Sequence, residues 1–76
     1  PLVVDVRNAA EWQEGHVDGA LHVPLERLEE RVAEVPRDRE LVVMCRSGYR
    51  SSIAAGLLAR AGRTRLADLS GGWLAW

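Results

Sequence analysis

Four consecutive apolar residues, Leu41-Val42-Val43-Met44, run without alternation into Cys45-Arg46-Ser47-Gly48-Tyr49-Arg50. From Ser51 to Ala61 the apolar residues Ile53, Ala54, Leu57, Leu58 and Ala61 then recur at helical spacing and are stopped by Gly62. The order is strand, tight loop, helix. A strand apolar at successive positions is buried on both faces, the habit of a parallel sheet covered by helices. Leu2-Val3-Val4-Asp5-Val6 repeats that signature.

The remaining segments complete the pattern. Asn8, three residues before Glu11, predicts a capping box opening a short helix over Ala9 to Glu14, ended by Gly15 and anchored in the core by Trp12. After the turn Gly15 to Gly19, Ala20-Leu21-His22-Val23 predicts a short strand stopped by Pro24. Leu25, Leu28, Val32 and Val35, with charged residues between them, predict one amphipathic helix between Pro24 and Pro36. Arg65 to Leu69 predicts a last strand, and Ser70-Gly71-Gly72 turns the chain into Trp73-Leu74-Ala75-Trp76. Strands alternating with helices give an α/β class: a small, doubly wound, mainly parallel sheet with helices on both faces. The 76 residues are expected to form a single domain.

In such sheets ligands bind outside the carboxyl ends of the strands, where Cys45 falls. The loop after a strand presents backbone N–H groups and a helix N-terminus, which favour negative charge. A thiol held there, flanked by Arg46 and Arg50, is expected to be acidic and nucleophilic rather than a buried structural cysteine. Asp5 ends its strand at the same edge and is expected to bond Arg7 or the loop in a supporting role. Ser51 is read as a helix cap, Tyr49 as a solvent-facing loop residue, and His16 as a turn residue bonded to backbone. His22 carries no assigned role.

Composition narrows the classes. Ten basic residues, all arginine, face eleven acidic ones for a net charge of −1, so no global basic field draws in nucleic acid. The lone cysteine excludes an internal disulfide and suits a reducing cytoplasm. No apolar run approaches a membrane span and no signal peptide is recognisable. Two scattered histidines and one cysteine do not make a metal-ligand spacing.

Asp5-Val6-Arg7, Glu11-Trp12, Gly15-His16-Val17 with Gly19-Ala20, then Cys45 to Ser51 and finally Gly71-Gly72-Trp73, in that order and spacing, resemble the rhodanese-like domain. The resemblance implies that Cys45 takes a sulfane sulfur from a small anionic donor such as thiosulfate, carries it as a persulfide and passes it to a thiol or cyanide. Residues Arg46, Ser47, Gly48, Tyr49 and Arg50 would line the persulfide loop, with Asp5, Arg7 and Ser51 supporting it and no metal or organic cofactor required. Arg50, ahead of Arg46, would attract the donor.

The nearest rival has a longer loop. Cysteine-dependent phosphatases place one more residue between cysteine and arginine, whereas four separate Cys45 from Arg50, so phosphatase or arsenate reductase chemistry is the lesser alternative. Against the family pattern the chain lacks an opening strand and helix and a closing helix, and is expected to be truncated at both ends. A second alternative follows: a tethered sulfur carrier or protein-binding module serving a fused or separate partner, a metallo-β-lactamase-fold fusion among the possibilities.

Overall fold

In a computed structural model of the protein, residues 1–46 and 49–69 are described. The expectations for Ser47, Gly48, the Ser70 to Gly72 turn, Trp73 and Trp76 fall outside the described residues. The elements are β1 (Leu2–Asp5), α1 (Ala9–Glu14), β2 (Leu21–His22), two 3₁₀ turns (Leu25–Arg27 and Val32–Glu34), β3 (Leu41–Met44), α2 (Tyr49–Arg60) and β4 (Leu66–Asp68). The four strands lie in the order β2-β1-β3-β4, and each neighbouring pair is parallel.

That order has a direct consequence. The chain leaves β1 for β2, then returns past β1 to β3 and continues outward to β4. Parallel crossovers are right-handed, so the connection carrying α1 lies on one face and those carrying the 3₁₀ turns and α2 lie on the other. The direction reverses between β1 and β3, where the register pairs Asp5 with Met44. Cys45 follows immediately.

Alternation along the strands sorts the side chains. Val4, Val6, Leu41, Val43 and Cys45 join Leu28, Val35, Ala54 and Leu58 in one buried cluster. At about 25 cal/mol per Å² of apolar surface removed from water, this cluster supplies the main drive for folding. Val3, Asp5 and Met44 are also buried. Among the described residues no helix is long and apolar enough to cross a membrane.

Helix α1 has the expected bounds because its capping box forms. Asn8 Oδ1 accepts the Glu11 N–H at 2.9 Å, and Glu11 Oε1 accepts the Asn8 N–H at 3.1 Å. The end of α2 is equally well specified: Arg63 N–H reaches Leu58 O and Gly62 N–H reaches Ala59 O, with Gly62 at φ 93°. A side chain there would be strained, and its Cβ would meet Arg37 at 3.0 Å.

Three expectations are corrected. The segment Leu25 to Val35 is two 3₁₀ turns rather than one helix, with i to i−3 bonds into Leu28 and Val35 and Arg31 at φ −108°, ψ 13° between them. Pro36 has no N–H to give Val32 O, and the buried Arg63 guanidinium takes that carbonyl at 2.7 Å together with Val35 O. Trp12 is not a core anchor; α1 buries no residue, and the indole stacks with the His16 and His22 rings at centroid distances of 3.5 and 4.5 Å. Ile53 leaves the buried stripe, which is Ser51, Ala54 and Leu58, and shares the solvent face of α2 with Tyr49.

Candidate active site

Cys45 is one residue past β3 at the reversal point of the sheet, and 1% of its surface is exposed. Burial alone would suit an inert cysteine. Its environment differs from that of a core thiol, because the backbone N–H of Ser51, in the first turn of α2, donates to Sγ at 3.2 Å. A backbone donor and a helix N-terminus both favour the thiolate over the thiol.

Ion pairs hold the β1–α1 flank of this position. Asp5, fully buried, accepts from Arg7 Nε at 3.0 and 3.1 Å, from Arg7 Nη2 at 2.8 Å and from the Arg7 N–H at 3.0 Å. Arg7 Nη2 also reaches Gly15 O at 2.7 Å. Asp5 thus bonds Arg7 as expected, and its register partner is Met44 rather than Cys45. The Arg7 carbonyl in turn accepts from His22 Nε2 at 2.8 Å, a contact that the sequence reading left unassigned.

Arg50 is engaged as well. Its Nη1 and Nη2 donate to Glu11 Oε1 and Oε2 at 2.7 and 2.9 Å, a fork-to-fork pair joining α2 to α1 across 39 residues of sequence. Arg50 lowers the Glu11 pKa from 4.5 to about 2, assisted by the Asn8 N–H, and the same bonds raise that of Arg50. Arg46, by contrast, is exposed and no carboxylate among the described residues pairs with it.

The β4 flank is built differently. Ser51 donates its hydroxyl to Asp68 Oδ1, and Ser52 donates to Asp68 Oδ2 at 2.8 Å. The expected capping role of Ser51 is therefore corrected: it stands inside the first turn of α2, and its hydroxyl goes to β4. The expected loop placement of Tyr49 and Arg50 is corrected as well: both lie in the first turn of α2, which Tyr49 opens at 75% exposure. His16 Nδ1 meets Trp12 O at 2.9 Å, as expected of a turn histidine.

The structure thus brings Asp5, Arg7, Cys45, Arg46, Tyr49, Arg50 and Ser51 to one edge of the sheet, and adds Glu11, His22, Ser52 and Asp68. Glu11 was accounted for by its capping box, which concealed its second partner. Asp68 had a usable signal, since it is an acid ending a strand at the carboxyl edge, as Asp5 is.

The sequence matches the family model of the rhodanese-like domain over residues 1–76, and the chain belongs to that family. It is 41% identical over 75 residues to a protein of Allochromatium vinosum named sulfurtransferase, covering 99% of this chain and 70% of that one. A crystal structure of a rhodanese-related protein from Thermoplasma volcanium superposes with a TM-score of 0.92 at 31% identity, covering 99% of this chain and 74% of that one. An NAD-dependent persulfide reductase from A. fulgidus superposes with a TM-score of 0.87 at 37% identity, over 99% of this chain and 14% of the reductase. Relatives therefore include proteins far longer than this chain, in which the domain is one part. The chain is a rhodanese-like domain, and its relatives include proteins named sulfurtransferase.

Proposed function

We propose that the 76 residues act as one sulfurtransferase unit in which Cys45 carries sulfane sulfur as a persulfide. The observation that carries this reading is the position of Cys45 at the sheet reversal, with the Ser51 N–H on its sulfur. The Cys45 thiolate attacks the outer sulfur of a donor such as thiosulfate; the new S–S bond forms as the donor S–S bond breaks, and sulfite leaves with the electron pair. The terminal persulfide sulfur is anionic, and backbone donors such as the Ser51 N–H of α2 stabilise it as an oxyanion hole stabilises oxygen. A thiolate or cyanide then attacks that sulfur, and the Cys45 thiolate is the leaving group. The cycle is a double displacement.

Arg46 and Arg50 divide the work in the opposite order from that expected, because Arg50 lies in α2 and only Arg46 stands in the loop. Arg50 is neutralised by Glu11 and ties the first turn of α2 to α1, whereas Arg46, exposed and unpaired among the described residues, attracts the anionic donor. Arg46→Ala is expected to raise the KM for thiosulfate by about fivefold and to flatten its salt dependence, with kcat little changed. A larger kcat effect than KM effect would remove Arg46 from donor attraction.

Two features favour transfer over phosphate hydrolysis. The spacing from Cys45 to Arg50 is a residue short, and Glu11, the acid bonded to Arg50, is ionised at neutral pH and cannot protonate a leaving group. Rates with thiosulfate, glutathione persulfide and mercaptopyruvate, each against cyanide and a thiol, test the reading and rank the donors. Parallel-line double-reciprocal plots are expected; phosphate ester turnover without thiocyanate would overturn it. Negligible cyanide turnover with transfer to a protein thiol would make the domain a tethered carrier, the role its far longer relatives make reasonable. The reducing cytoplasm is the compartment this chemistry suits.

A further inference from the structure

At the outer flank of Cys45 stands a carboxylate with no part in the transfer cycle. β4 pairs with β3 with Val43 opposite Asp68, so Asp68 reaches the carboxyl edge of the sheet beside the first turn of α2. Its two oxygens accept from two consecutive residues of that turn, Oδ1 from the Ser51 hydroxyl and Oδ2 from the Ser52 hydroxyl. The backbone N–H of the same Ser51 donates to Cys45 Sγ. Serine in a first helical turn commonly bonds nearby backbone. Here both hydroxyls also reach another element, and the turn that faces the sulfur is strutted from β4.

We propose that Asp68 is a positioning residue for Cys45, holding Ser51 and Ser52 so that the Ser51 N–H stays aimed at the sulfur. The proposal rests on the reading of Cys45 as a nucleophile. A hydrogen bond weakens steeply as its angle opens, and a donor to sulfur favours the thiolate, so a loosened turn makes the cysteine less reactive. The negative charge of Asp68 acts in the opposite direction. Asp68 is exposed, so solvent screens that charge and the geometric effect prevails. An asparagine retains the grip, since its oxygen accepts from one serine and its amide donates to the oxygen of the other.

The rate of Cys45 alkylation by iodoacetamide, followed against pH on the whole folded chain, tests this without sulfur transfer. Asp68→Ala is expected to slow alkylation at neutral pH by about threefold to tenfold and to move the pH profile upward. Asp68→Asn is expected to remain within about twofold of wild type. In a Ser51→Ala/Ser52→Ala background, which should itself be slow, Asp68→Ala is expected to add nothing, because both changes cut one path. An unchanged rate in folded Asp68→Ala, full slowing in Asp68→Asn, or undiminished slowing in the double-serine background would each overturn the proposal. Should Asp68→Ala not fold, the asparagine variant and the double-serine variant decide the outcome alone. Thiocyanate formation is measured on the same proteins: shifted alkylation without any sulfur transfer keeps the positioning role and removes the transferase reading.

Discussion

The two flanks of Cys45 are held by different chemistry. On the β1–α1 side stand two arginine–carboxylate pairs, Asp5–Arg7 fully buried and Glu11–Arg50 half-buried. On the β4 side a single exposed carboxylate grips two serine hydroxyls. The first kind of support is rigid and brings no net charge, because every cation has its anion. The second is weaker, and one of its serines is the residue whose N–H touches the sulfur. The difference separates holding the fold at this edge from tuning the thiol within it.

The largest expected effect tests the rigid side. Arg7→Ala leaves the Asp5 carboxylate buried without its guanidinium, at a cost of about 3–5 kcal/mol in urea unfolding. With total stabilities on the order of 5–15 kcal/mol, this variant should lie near the unfolding threshold. A loss under about 1 kcal/mol would mean that Asp5 is relieved by water or protonation, and the contrast between the flanks would shrink.

Glu11→Gln is expected to cost less, about 1–2 kcal/mol, since the pair is partly open to solvent. Its signature is the pH dependence. The folded carboxyl is depressed to about 2 from 4.5, so its contribution is complete above 4.5 and is lost as pH falls toward 2. Wild type should therefore lose stability across that window more steeply than Glu11→Gln, as read from unfolding midpoints at a series of acid pH values. Parallel curves would show that Arg50 does not hold Glu11 ionised.

Ser52→Ala is expected to be the mildest change, about 0.5–1 kcal/mol, because the hydroxyl is exposed and Ser51 still reaches Asp68. It should slow alkylation of Cys45 less than Ser51→Ala does. Equal slowing by the two would show that Asp68 acts on the whole turn rather than chiefly through the residue bonded to sulfur.

Where the sequence could be read, local rules and the sheet agreed. The unalternating runs Leu2 to Val6 and Leu41 to Met44 gave parallel strands, and the Asn8–Glu11 box gave α1. The segment Leu25 to Val35 misled because its apolar spacing fits a helix, while Pro36 and the distant Arg63 decide where its carbonyls go. No local pattern reveals a guanidinium arriving from 28 residues away. The site followed the same division. The placement of Cys45 at the carboxyl edge was legible from the strand before it, but the partner of Arg50 was hidden in a glutamate already explained as a cap, and Asp68 was one strand-end acid among eleven acidic residues. Trp12 and Ile53 failed for a related reason: apolarity predicts burial only where a neighbouring element arrives to cover it, and among the described residues none covers Trp12 fully or the outer face of α2.

Mass spectrometry of the intact protein and of the peptide containing Cys45, after treatment with thiosulfate and removal of excess donor, tests the central claim most directly. The account predicts a gain of one sulfur atom on Cys45, discharged by cyanide as thiocyanate and absent from folded Cys45→Ser. Wild type that gains no sulfur from thiosulfate or a small persulfide, or a Cys45→Ser variant that still gains it, would contradict the account.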